Sequence, residues 1–223
     1  IGIRDTLEFD PAVQLFASLG YAVLQVNFRG SEGYGRAFRE AGRHPYGSLI
    51  EDDIDAATRI ALAQYPLDPD RMCLVGASYG GYSALVSAIR WPQRFRCAVS
   101  IAGVSDLMLF FTASDAGWSA HGRKELEKAI GNPATDADSM RAYAPLYRYK
   151  ELTLPVMLAH GTEDERVDFE HSRRLVRMLN LAGRQPVMLA FAYEGHGGFK
   201  QKDDLLLWTG VAGVRGATLD EAH

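Results

Sequence analysis

The chain has 223 residues, 47% of them hydrophobic, which is enough for one sizeable core and fits a single domain. Its net charge of −4 and pI near 5.9 come with no basic block, so nucleic acid and anionic membrane are poor candidates as partners. No apolar run approaches the ~18 residues of a membrane span, and the first residues carry no signal-peptide pattern.

In chain order, Asp10-Pro11 reads as an N-cap and first helical residue, with Val13, Phe16 and Ala17 as the apolar face and Gly20 as the stop. Tyr21 to Phe28 (YAVLQVNF) has the composition of a strand, and Arg29 to Gly35 (RGSEGYG) that of a turn-rich loop at its C-terminal end. Loops at that end of a parallel sheet line ligand sites. Ser48-Leu49-Ile50-Glu51 has the form of a capping box opening a helix with Ile50, Ile54, Ala57 and Ala61 on one stripe, closed by Pro66.

Met72 to Tyr82 (MCLVGASYGGY) joins an apolar run to a Gly-x-Ser-x-Gly sequence and then to a small-residue helical pattern. This is the form of a nucleophile elbow, with Ser78 on a tight strand-to-helix turn and its hydroxyl held out. Gly76 and Gly80 leave room for the turn, Gly81 lets the helix pack close to its strand, and the Tyr79 N–H points where an oxyanion develops. The helix ends at Trp91-Pro92, and Cys97 to Ala102 follows as a further strand. Cys73 and Cys97 both lie in apolar runs, which favours buried reduced thiols over a disulfide or metal pair.

Between Gly103 and Lys150 the periodicity weakens, apart from a charged helix near Lys124 to Ile130. An excursion of this length is more often a substrate-shaping insertion than packing filler. Strands then recur at Pro155 to Ala159 and Pro186 to Tyr193, on either side of a helix from Asp168 to Ala182 that Gly183 ends. Alternating strands and helices predict an α/β fold, a mostly parallel sheet with helices on both faces.

A serine hydroxyl needs a base to take its proton, and the base needs an acid to hold its tautomer. The two late strands lead into His160-Gly161-Thr162-Glu163-Asp164-Glu165-Arg166-Val167 and Glu194-Gly195-His196-Gly197-Gly198-Phe199. Asp164 is assigned as orienting acid and His196 as general base. Glu163 and Glu165 suit a solvated loop, His160 a structural role holding the acid loop, and His171, on a helix beside arginines, the surface. His44 and His121 have no supporting pattern, and none of the six histidines has zinc spacing.

The four motifs VNFRGSEGYG, GASYGGYSAL, HGTEDERV and EGHGGF, taken in order, resemble the catalytic domain of the prolyl oligopeptidase family of serine peptidases, especially its acylaminoacyl-peptidase and dipeptidyl-peptidase-like members. The resemblance implies an α/β-hydrolase fold over residues 1–223 with an insertion at about 103–150, and a triad of Ser78, Asp164 and His196. It further implies Tyr79 as a backbone oxyanion donor, Trp118 lining the pocket for the residue before the cut bond, a short peptide as substrate, and no metal or organic cofactor. A homo-oligomer stays open, and so does the compartment, with the cytoplasm favoured.

Three departures from the family pattern stand out. A strand and a His-Gly-Gly-Pro-like turn that complete the oxyanion hole would precede Ile1, so the N-terminal strands are expected to be missing and the chain to be part of a longer one, with a β-propeller and any signal segment upstream. Where the family has His-Gly-Phe, this chain has His196-Gly197-Gly198-Phe199. Trp208 to His223 lacks the pattern of an amphipathic closing helix, and its glycines weaken any helix there. A carboxylesterase of the same fold and a non-catalytic binding module are the alternative functions.

Overall fold

The computed structural model describes residues 2–6, 8–43 and 46–219; His44 and the last four residues of the tail lie outside them. The chain divides into two units, residues 1–69 and 70–223.

The first unit holds helices α1 (Pro11–Ser18), α2 (Arg36–Glu40) and α3 (Leu49–Gln64). Asp10 caps α1 through its carboxylate, which accepts the Ala12 and Val13 N–H groups at 2.8 and 3.0 Å, and Pro11 fills the first turn. Ser48 precedes α3 without the side-chain cap that the box pattern implies; its ψ of −91° lies outside the extended region a capping residue uses. Residues 21–28 form no strand. A strand exists only through its ladder. Here the neighbouring Asp5 is tied by the Asn27 side chain, which accepts the Asp5 N–H at 2.8 Å and donates to its carbonyl at 3.1 Å. Arg29 anchors the following loop to α3, with its backbone N–H, Nε and Nη2 all donating to the Asp53 carboxylate at 2.6 to 3.0 Å.

The second unit is a four-stranded parallel sheet in the order β1 (Cys73–Ala77), β2 (Cys97–Ile101), β3 (Val156–Gly161), β4 (Val187–Phe191). Strands β2 and β3 are buried along their whole length, as the unbroken apolar runs require. On one face Ala98, Val156 and Leu158 pack with Leu85, Ala88 and Ile89 of α4 (Tyr79–Arg90) and with Leu175 and Leu179 of α7 (Glu170–Leu181). Between β2 and β3 run α5 (Ala120–Ile130), capped by the Ser119 hydroxyl, and α6 (Ala137–Tyr143), with short 3-10 turns before and after them.

The expectations for the tail and for the cysteines fail in this unit. The tail forms a helix, α8 (Gln201–Leu219), on the opposite face of the sheet. Leu207 and Val211 bury one stripe, and Gly210 lets the backbone approach Met157 and Leu189 so closely that a Cβ would stand 3.1 Å from each. Tertiary packing of this kind outweighs the propensity cost of glycine, which is about 1 kcal/mol per residue.

Cys73 and Cys97 are also not free thiols; they form a disulfide, with their Cα atoms 4.8 Å apart. They are register partners on adjacent strands, a relation invisible in either apolar run alone. The bond closes a loop of 24 residues, so replacing both cysteines with serine should cost about 3.5 kcal/mol by loop entropy. Chemical denaturation of the double variant and of the dithiothreitol-reduced wild type should give the same lowered midpoint.

Candidate active site

Strand β1 delivers Ser78 into a turn with φ 55° and ψ −118°, a conformation side chains rarely adopt. The turn is possible because Gly76 lies against the backbone of Gly80, where a Cβ would collide with the Gly80 carbonyl. The spacing of the two glycines around Ser78 is thus a matter of one backbone crossing another. Two hydrogen bonds hold the residue: its N–H donates to the Ile101 carbonyl at 2.8 Å, and its carbonyl accepts from Tyr82 at 3.1 Å. Tyr79 opens α4, so its N–H belongs to the positive end of the helix.

The hydroxyl of Ser78 is 2.9 Å from His196 Nε2, and His196 Nδ1 is 2.7 Å from Asp164 Oδ2. The structure thereby brings together the three residues named from separate motifs. His196 is held by a loop that folds back on the acid loop. The Glu194 carbonyl accepts the Glu163 N–H at 2.9 Å, and the Tyr193 N–H donates to the Thr162 hydroxyl at 3.1 Å. The additional glycine is absorbed by consecutive left-handed residues, Gly197 at φ 129° and Gly198 at φ 65°, after which Phe199 returns to pack on Phe191 with ring centroids 4.8 Å apart.

Of the three consecutive acids, Asp164 alone is buried; Glu163 and Glu165 face solvent. Its Oδ1 accepts the Arg166 and Val167 N–H groups, both at 2.9 Å, while Oδ2 faces His196 and, at 3.2 Å, His160 Nε2. Burial pushes its pKa up, but the hydrogen bonds from His160, His196 and Val167 outweigh this and hold it well below the usual carboxylate range. His160, near the end of β3, is fully buried beside the acid loop.

Trp118 ends a 3-10 turn and is 62% exposed. Its segment is tied to the acid loop, since the Asp115 N–H donates to the Glu165 carbonyl at 2.7 Å and the Asp115 carboxylate pairs with Arg166 at 3.1 Å. His121 is exposed on α5. Among the described residues no cluster of His, Cys, Asp and Glu is disposed to hold a metal ion, and no helix is long and apolar enough to cross a membrane.

His171 is fully buried, against the expectation of a surface residue. Its Nδ1 accepts the N–H groups of Ser105 and Asp106, both at 3.2 Å, bracing the loop that leaves β2. The signal was the spacing of 171, 175 and 179, which puts the histidine on the buried stripe with Leu175 and Leu179 despite the arginines beside it. Burial, with the nearby His160 and Arg174, lowers its pKa from 6.5 to about 3.

The unfolded chain therefore takes up a proton at His171 near pH 6.5 that the folded chain refuses until about pH 3. This contribution is whole above pH 6.5 and is lost as the pH falls, costing on the order of 2 to 3 kcal/mol between pH 6.5 and 4.5. His171→Asn, whose amide oxygen can take the place of Nδ1, should flatten the stability–pH curve across that interval by about one proton's slope. Urea denaturation at stepped pH measures it.

The chain is similar to known proteins in sequence and in fold. The family model described as the prolyl oligopeptidase family matches residues 7–209. The chain is 33% identical to dipeptidyl aminopeptidase BIII of Pseudoxanthomonas mexicana over 87% of its own length, and 33% identical to dipeptidyl peptidase family member 6 of Caenorhabditis elegans over 91%. It spans 28% of the length of each of these relatives. A puromycin-hydrolyzing peptidase of Mycobacterium tuberculosis superimposes with a TM-score of 0.91 at 28% identity, covering 98% of this chain and 32% of that one. The parallel sheet with helices on both faces is thus that of the α/β-hydrolase peptidases.

Proposed function

The chain belongs to the prolyl oligopeptidase family, and from that premise we propose that it is a serine peptidase hydrolysing short peptides through an acyl-enzyme. What carries this function is a single imidazole, His196, which reaches Ser78 with one nitrogen and Asp164 with the other. Nε2 takes the Ser78 proton as Oγ attacks the scissile carbonyl, and Asp164 keeps the second proton on Nδ1 and stabilises the imidazolium that forms. The Tyr79 N–H receives the developing oxyanion at the positive end of α4. His196 then protonates the leaving amine. It next deprotonates a water that releases the acyl group and restores Ser78.

Residues 1–223 form one catalytic domain in this reading, with Trp118 and the 103–150 insertion shaping the pocket before the cut bond. The tether between Asp115 and the acid loop supports that placement. The names of the relatives, a dipeptidyl aminopeptidase and a puromycin-hydrolyzing peptidase, support small amide substrates, and the negative net charge favours these over nucleic acid.

Short peptide p-nitroanilides compared with p-nitrophenyl esters of the same acyl groups test the function in the intact protein. Turnover of both is expected. Ester cleavage without amide cleavage would make it a carboxylesterase, and cleavage of neither by folded protein would leave a binding module.

A further inference from the structure

The Asp164 carboxylate has a second histidine on it. His160, the fifth residue of β3, is 0% exposed and sits edge-on to Phe169, with ring centroids 5.7 Å apart. Its Nε2 lies 2.7 Å from the Val167 carbonyl and 3.2 Å from Asp164 Oδ2, and its Nδ1 lies 2.7 Å from the Ser172 hydroxyl. The Val167 carbonyl can only accept, and Asp164, surrounded by N–H groups on both oxygens, is a carboxylate that also only accepts. Nε2 must therefore carry the hydrogen. In the neutral ring Nδ1 is then a lone pair, and the Ser172 O–H donates to it.

We propose that His160 is a positioning residue for the Asp164 carboxylate, held by Ser172 in the Nε2–H tautomer; the inference rests on the reading of Asp164 as the orienting acid. Its effect is partly geometric. Oδ1 is pinned by the Arg166 and Val167 N–H groups and Oδ2 by two imidazoles, so the carboxylate plane cannot rotate away from His196. It is also electronic. His160 and His196 donate to the same oxygen, and the charge that His160 draws on is charge His196 does not feel. His160 therefore tempers the stabilisation that Asp164 gives the His196 imidazolium formed in the reaction. The titratable and charged groups around it are Asp164 on the loop after β3, His171 on α7 with Arg174 beyond, and His196 across the carboxylate.

The test follows the rate at which a fluorophosphonate labels Ser78 as a function of pH, in the intact protein and two variants. His160→Phe keeps a ring and removes both nitrogens; His160→Gln restores an N–H near the Nε2 position. In His160→Phe the acid limb of the labelling rate is expected to move up by about half to one pH unit and the plateau to fall about tenfold. In His160→Gln the limb should stay where the wild type has it, with the plateau within about threefold. A limb unmoved in His160→Phe, or moved alike in both variants, would overturn the proposal. Absence of labelling in the folded wild type would instead overturn the peptidase reading. Should His160→Phe not fold, nitrogen-15 NMR of histidine-labelled wild type decides: the Nε2–H tautomer at His160 is expected at pH 7.5, and the Nδ1–H tautomer would contradict the proposal.

Discussion

Replacing His196 with alanine is expected to lower kcat on peptide amides on the order of 10^6-fold, the loss that follows removal of the base from a Ser-His-Asp unit. The size of the effect comes from the weakness of the Ser78 hydroxyl as a nucleophile. In the proposed reaction His196 Nε2, 2.9 Å from that hydroxyl, takes its proton, and the same nitrogen must later protonate the leaving amine. The side chain is 26% exposed and is not one of the buried core residues, so the variant should melt within a few degrees of the wild type. Steady-state kinetics with a parallel thermal melt tests both halves. A loss of activity accompanied by unfolding would point to a structural role instead.

Asp164→Asn is expected to cost about 10^4-fold in kcat with KM little changed, and the reason lies in its hydrogen-bond partners. The N–H groups of Arg166 and Val167 both point at Oδ1, so the amide must keep its oxygen there. Its NH2 then faces His196 Nδ1 and His160 Nε2, which in the wild type both face an acceptor. His196 can meet that donor only with a lone pair on Nδ1, which puts its hydrogen on Nε2 and leaves nothing to accept the serine proton. The same substitution removes a carboxyl whose folded-state pKa is depressed. Its contribution to stability is present above the ordinary value of 3.8 and is lost as the pH falls toward the folded value, a range that begins only at the acid end of the one in which His171 acts.

The centre was legible because its parts are local. Gly-x-Ser-x-Gly after an apolar run, an acid after one late strand and a histidine after the next are patterns a few residues long, and a parallel sheet gathers its strand ends on one edge. What escaped was non-local. The disulfide depends on Cys73 and Cys97 being opposite each other in register, which no single run encodes. The stretch 21–28 has strand composition, yet strand formation waits on a partner. The glycines of the tail argue against a helix, although Leu207 and Val211 have the spacing of a buried stripe. His171 has arginines as neighbours in sequence, while its neighbours on the helix face are four and eight residues away.

In the proposed mechanism Ser78, activated by His196, is an acylating nucleophile. Peptide mapping by mass spectrometry after fluorophosphonate treatment of the intact protein tests it most directly. A single adduct on Ser78 is expected, absent from His196→Ala that remains folded. Folded wild-type protein without an adduct, or an adduct on Ser78 that persists unchanged in His196→Ala, would contradict it.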